Sequence, residues 1–249
     1  MAQHVHHSNL GHSSTMSPDL GLAGHTQVFG ELGFAGFLRA YADADNVFFA
    51  ELEELNNSDA EGGALLLQNG DYLTVITAAT GVEPGQAHAQ HIHGFENGME
   101  ANVPTLAQDD DRDGFIELAE GLETYGPVLL NLTSPQGSGS GFPMPSGDSY
   151  LFAQTYDLSD PANGKFATLL DEAPLENREI VLHGLTVLEG HGRGTEGEVD
   201  GTAGYKGVLP IAAGEIEAMG STREALIAFA DTLDDFDNSH VHVNDLMVG

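Results

Sequence analysis

The chain has 249 residues, 41% of them hydrophobic, enough to bury a sizeable core as one large domain or one domain with appendages. It has no cysteine, which excludes disulfides, thiolate metal sites and thiol nucleophiles. Against 39 acidic residues stand 7 basic ones, a net charge of −32, so nucleic acid is a poor partner and metal cations are natural ones. The acidity, with lysine only at Lys165 and Lys206, points to a high-salt or marine setting where screening suppresses self-repulsion. No apolar run approaches the ~18 residues of a membrane span.

Residues 1–27 read as a flexible tail carrying His4, His6, His7, His12 and His25 among Ser and Gly. A disordered polar tail and a metal-scavenging arm both remain open for it. It contains no basic stretch followed by an apolar one. The chain is therefore expected to be extracellular or periplasmic with its leader absent from this sequence, or intracellular in a high-salt organism. From Val28 to Leu55 the apolar residues fit neither the helical nor the strand period cleanly, and Phe48 to Leu55 reads as strand or short helix. Clear strands begin at Gly63. Ala64 to Leu67, the turn pair Asn69-Gly70 and the β-branched run Tyr72 to Ala79 predict a hairpin. Ala89 to Gly94, Val128 to Leu132, Tyr150 to Leu158, Ile180 to Leu188 and Leu209 to Ile216 read as further strands, with Gly/Ser/Pro-rich loops at 134–147 and 190–204. Short strands with such turns predict a mainly β fold, a Greek-key sandwich or barrel over residues 28–216. In residues 217–249, Ser221-Thr222-Arg223-Glu224 is a capping box that opens a helix through Leu226, Ala230 and Leu233. That helix is expected on the outside of the sandwich, followed by an acidic tail from Asp234 carrying His240 and His242.

Two motifs carry chemistry. His91-Ile92-His93 on a strand presents two imidazoles to one side, and His183, within Glu179-Ile180-Val181-Leu182-His183, sits on a strand expected to be its neighbour. Three such histidines are a normal copper or zinc donor set, provided their nitrogens meet within roughly 4 Å of one another. Each imidazole must be neutral to ligate, so affinity is expected to fall below about pH 6.5. His88 offers a fourth imidazole from the same segment, on the loop side. The second motif is the twelve-residue stretch 109–120, which fits the EF-hand calcium loop. Asp109, Asp111 and Asp113 occupy positions one, three and five, Gly114 the turn at six, and Phe115 the carbonyl at seven. Glu120 is the bidentate residue at twelve. The loop lacks a clear helix pair, with at most one helical turn after it, so a structural role is expected rather than a sensor's opening.

His91-Ile-His93-Gly94, followed by Gly126-Pro127-Val128-Leu129-Leu130-Asn131-Leu132, resembles the CHRD domain. From Glu179 onward the chain also resembles the copper/zinc superoxide dismutases. Val181-Leu182-His183 is similar to their later copper-histidine strand, Gly201-Thr202-Ala203-Gly204-Tyr205-Lys206 to their glycine-rich guiding motif, and Ala213-Gly214-Glu215-Ile216 to their closing strand. The likeness covers roughly Gly63 to Ile216. It implies a Greek-key β fold, copper ligands at His91, His93 and His183, and an anion-guiding role for Lys206. The pattern departs from that family in several places. No histidine lies between Gly94 and Leu182, so the bridging and zinc histidines have no counterparts, and the calcium loop occupies the region of the zinc loop. Lys206 also stands where an arginine is usual, and keeps the charge without the fork geometry.

The expectation is therefore a calcium-binding β protein with a histidine site for copper or zinc and a structural or binding role, able to form a homo-oligomer or surface assembly. The alternative is a copper-dependent dismutase.

Overall fold

The computed structural model describes residues 26–29, 32, 34–163 and 166–245. The histidines of residues 1–25, Lys165 and the side chains of His240 and His242 lie outside that description. The elements are β1 (Thr26–Phe29), α1 (Phe34–Asp43), β2 (Asn46–Glu54), β3 (Glu61–Asn69), β4 (Tyr72–Thr80), β5 (Gln90–His93), α2 (Leu118–Tyr125), β6 (Val128–Asn131), β7 (Ser149–Asp157), α3 (Phe166–Glu172), β8 (Glu179–Val187), β9 (Gly204–Glu215), β10 (Glu217–Ala218) and α4 (Thr222–Asp245).

The strands form one curled sheet in the order β1-β7-β4-β3-β2-β9-β8-β5-β6, with β10 also on β2. Every pairing is antiparallel except β1 with β7. Strand β2 serves both halves. Its first seven residues pair β3, while Glu53 and Glu54 pass to β9. The chain crosses between the halves after β4, after β6 and again after β7, the long connections of a Greek key. The hairpin read at 64–79 is β3–β4, with Gly70-Asp71 as the two connecting residues, one position beyond the expected pair.

Alternation along the strands sorts the side chains into layers. Leu66, Leu73, Val75, Tyr150 and Phe152 from one half meet Ile92, Leu130, Ile180, Leu182 and Ile211 from the other, forming the main core. On the outer face of the first half, Val47, Leu65, Leu67, Ile76 and Leu151 are covered by Phe37 and Tyr41 of α1 and by Ala225 and Phe229 of α4. Ser221 caps α4 as expected, its hydroxyl accepting from the Glu224 N–H at 3.2 Å. The helix runs on through the segment read as a tail, because no Gly or Pro stops it before Asp245.

The outer face of the second half is different. Val181 of β8 and Ala213 of β9 are covered by Leu55, Ile116 and Tyr125, which brings loop 109–120 and α2 down onto the strands. Glu120 closes the first turn of α2, accepting from the Glu117 N–H at 2.8 Å, so the turn expected after the loop is a helix of 8 residues. Among the described residues no helix is long and apolar enough to cross a membrane.

Candidate metal centre

Register builds the site. In the β5–β8 ladder His91 stands opposite Val181 and His93 opposite Glu179. Directly opposed residues share a face, and His183 lies two residues beyond Val181 on that same face. Ile92, Ile180 and Leu182 point the other way, into the core. Register shifts flank His183 in β8–β9 and His93 in β5–β6, and bulges of this kind re-aim the side chains beside them.

The ligand nitrogens of His91, His93 and His183 lie within 4.8 Å of one another, and the three rings sit 5.2–5.7 Å apart between centroids. That bound is somewhat wider than the roughly 4 Å required when bonds of ~2.0–2.1 Å reach one ion. His93 and His183 are buried, and His91 is half-buried. Nδ1 of His93 donates to the carbonyl of Gly126 at 2.8 Å, and Nδ1 of His183 donates to that of Val208 at 2.8 Å. A carbonyl only accepts, so the proton sits on Nδ1 and the Nε2 lone pair of each ring is bare. Those two Nε2 atoms and Nδ1 of His91 are buried with no hydrogen-bond partner. Buried polar atoms are nearly always satisfied, so three unpartnered nitrogens drawn together are a group that could hold a metal ion. Ring orientation by a second hydrogen bond is how metal-ligating histidines are held. The set fits copper or zinc.

Burial also fixes the charge state. Desolvation first, and then repulsion from the neighbouring rings, lowers His91 to about 2 and His93 to about 3, while desolvation lowers His183 to about 4. All three are neutral near pH 7, the form that ligates.

Two features place the orienting carbonyl on His93. Gly126 ends α2 with φ 77°, and a Cβ there would come within 2.6 Å of the Gly94 backbone. Gly94 in turn passes against the aliphatic stem of the buried Arg178, where a side chain would collide. Tyr125, the last residue of α2, packs edge-on against His93 at 4.7 Å between ring centroids, and Phe142 does the same to His91 at 5.3 Å. Glu179 is fully buried on the same face with both carboxylate oxygens unpartnered; desolvation and the facing Glu215 raise it to about 8.

His88 stays outside the ligand group. Its ring nitrogens face the carbonyls of His183 and Glu83, at 3.2 and 3.0 Å. Lys206 lies opposite Leu185 on β9, and its ammonium donates to Thr202 at 3.0 Å and pairs with Asp200 at 3.6 Å.

In loop 109–120 the structure brings Asp109, Asp111 and Glu120 within the same 4.8 Å bound. Asp113 is not in that group. Its Oδ1 accepts from Phe115 N–H at 2.8 Å, and its Oδ2 is buried beside Gly192 without a partner. Desolvation, partly offset by that Phe115 bond, raises the Asp113 carboxyl. The loop is tied down on both flanks. Asn56 receives the Ile116 N–H at 2.7 Å and donates to the carbonyls of Ile116 and Pro210, each at 2.9 Å. Glu117 accepts from Val199 N–H in the glycine-rich loop, and burial raises it to about 7.

The strand pattern pointed to all three histidines. Phe142, Tyr125 and Glu179 were missed. Phe142 sits in a Gly/Ser/Pro stretch with no periodicity to place it, and Glu179 reads as an ordinary strand-end charge. Tyr125 precedes a Gly-Pro pair that signals a turn, which was its one available cue.

No family model matches the chain, and no curated protein sequence does. Among solved structures it is similar to superoxide dismutase 5 of Candida albicans. The copper(II) form is 14% identical with a TM-score of 0.35, over 70% of this chain and 92% of that one. An aspartate variant of the same enzyme is 13% identical with a TM-score of 0.35, over 71% and 94%.

Two outcomes follow from the geometry. Gly126→Ala, which must move the carbonyl that holds His93, should weaken zinc binding by about 10–100-fold in a competition titration, as loss of an outer partner does. The second concerns the metal-free protein. Its three histidines stay neutral when folded but gain protons below about pH 6.5 when unfolded, so their contribution is lost as pH falls from 6.5 towards 4. Glu179 and Glu117, both raised, act in the opposite sense above about pH 4.5, so the net slope is shallow and the informative quantity is a difference. Denaturant titrations of His183→Gln and the parent should show the variant gaining, relative to the parent, up to about 1.4 kcal/mol per pH unit over that window.

Proposed function

We propose that this protein is a doubly metal-binding β protein. It holds copper or zinc at His91, His93 and His183 and calcium in loop 109–120, and its role is structural or in binding. The observation that carries the transition-metal half is the convergence of three buried, unpartnered nitrogens on neutral imidazoles, two of them locked by backbone carbonyls. Because burial holds the rings well below the ordinary histidine value, binding should persist to lower pH than the 6.5 expected from unperturbed histidines.

The calcium half is supported by Asp109, Asp111 and Glu120 drawn together, with buried carboxylate oxygens of Asp111 and Asp113 left unpartnered. Hard oxygen donors of this charge suit calcium, and the Phe115 carbonyl would complete the set with Asp113. The copper-dismutase alternative is weaker. His88 is engaged with backbone, Lys206 is already paired with Asp200, and the ligand nitrogens are sealed from solvent, whereas anion turnover needs an open position. The −32 charge also opposes an anionic substrate.

The transition-metal reading is tested by titrating copper or zinc into the metal-free chain and into the His91→Ala/His93→Ala/His183→Ala variant. Loss of one tight site in the variant supports it. Unchanged stoichiometry would assign the metal to other histidines. For calcium, saturation at a hundredfold excess over Kd should stabilise the fold by ~2.7 kcal/mol. The rise in melting temperature should vanish in Glu120→Gln, and identical melting with calcium or chelator would refute the loop's role.

A further inference from the structure

We propose that Phe142 is a gate whose ring controls passage of metal to and from the histidine triad. The inference rests on the triad holding a metal, as argued above.

His93 and His183 are closed off by the strands and by α2, at 0% and 2% exposure, so His91 is the one ring of the triad with surface towards solvent. Phe142 packs against that ring, 5.3 Å between centroids with the ring planes at 84°, and we take it as the cover. The nitrogens that would take the metal have no solvent exposure to speak of, so an ion cannot enter or leave without displacement of whatever covers His91. Phe142 itself is half-buried and packs into none of the hydrophobic clusters, so core formation does not explain its position.

The strap that carries it is held at both ends. Ser134 N–H donates to Gly141 O at 3.0 Å on one side. On the other, His88 and Gly85 donate to the carbonyls of Pro143 and Pro145, at 2.9 and 2.6 Å. Two prolines fix φ beyond the ring, so the backbone is stiff and the aromatic side chain is the part left to move. A cover moving on such a support alters rates of access without altering the ligands beneath it.

That distinction supplies the test. A gate changes entry and exit by the same factor and leaves the dissociation constant unchanged; a residue that orders His91 changes the constant itself. Zinc is the probe, and its uptake and its release to a chromogenic chelator are followed by stopped flow on the full chain. Phe142→Ala should speed both by up to about tenfold, the rate equivalent of losing one aromatic edge contact, with Kd within about twofold. Phe142→Trp, a larger cover on the same strap, should slow both, and it keeps the test decisive if the alanine variant folds poorly. Unchanged rates in both variants, or a weakened Kd at unchanged uptake rate, would overturn the gate. If the His91→Ala/His93→Ala/His183→Ala variant exchanges zinc as the parent does, the metal assignment fails, and the gate with it.

Discussion

The register of β5 against β8 is the constraint on which the site depends. His91 opposite Val181 and His93 opposite Glu179 put two imidazoles on the outer face, and the two-residue period of β8 adds His183. A slip of one residue would put His91 and His93 on the opposite face from His183, and would drive either Ile92 or the pair Ile180 and Leu182 out of the core. The hydrophobic effect therefore enforces the ligand geometry. Each leucine or isoleucine held inside contributes roughly 1.5–3 kcal/mol, and a wrong register forfeits that burial. The histidines need no mutual attraction to be brought together.

What the strands position, loop 109–120 and α2 cover. Ile116 and Tyr125 seal the outer face, and Gly126 at the end of α2 supplies the carbonyl that sets the tautomer of His93. Asn56 ties the same loop to Pro210, two residues from the Val208 carbonyl that orients His183. The two candidate sites are chemically distinct although neighbours in the fold. One offers neutral nitrogens in a dry pocket, suited to copper or zinc. The other offers anionic oxygens on a loop, suited to calcium. Donor chemistry can thus sort the cations, while the acidic surface attracts them all.

Much of this was legible in the sequence, for identifiable reasons. The β3–β4 hairpin shows because its alternation and turn chemistry agree, and His91-x-His93 shows because a strand period of two is unambiguous. Helix α1 was obscured because Phe29 and Leu32 precede its first turn and blur the period; within it Phe37 and Tyr41, four apart, meet at 6.0 Å. The length of α4 was underread because polar, acidic residues after Leu233 look like a tail, although nothing among them stops a helix. The partners of the triad left little trace in the sequence. Phe142 is 51 residues from His91, in a segment with no periodic pattern, and the orienting carbonyls belong to the backbone, which no side-chain pattern marks.

The most direct measurement is X-ray absorption at the zinc edge, on the chain loaded with one equivalent after removal of residues 1–25. The geometry predicts a first shell containing three imidazole nitrogens at ~2.0–2.1 Å, lost in the His91→Ala/His93→Ala/His183→Ala variant. A shell dominated by carboxylate oxygen, or one that survives in that variant, would contradict the assignment of these three histidines as the metal centre.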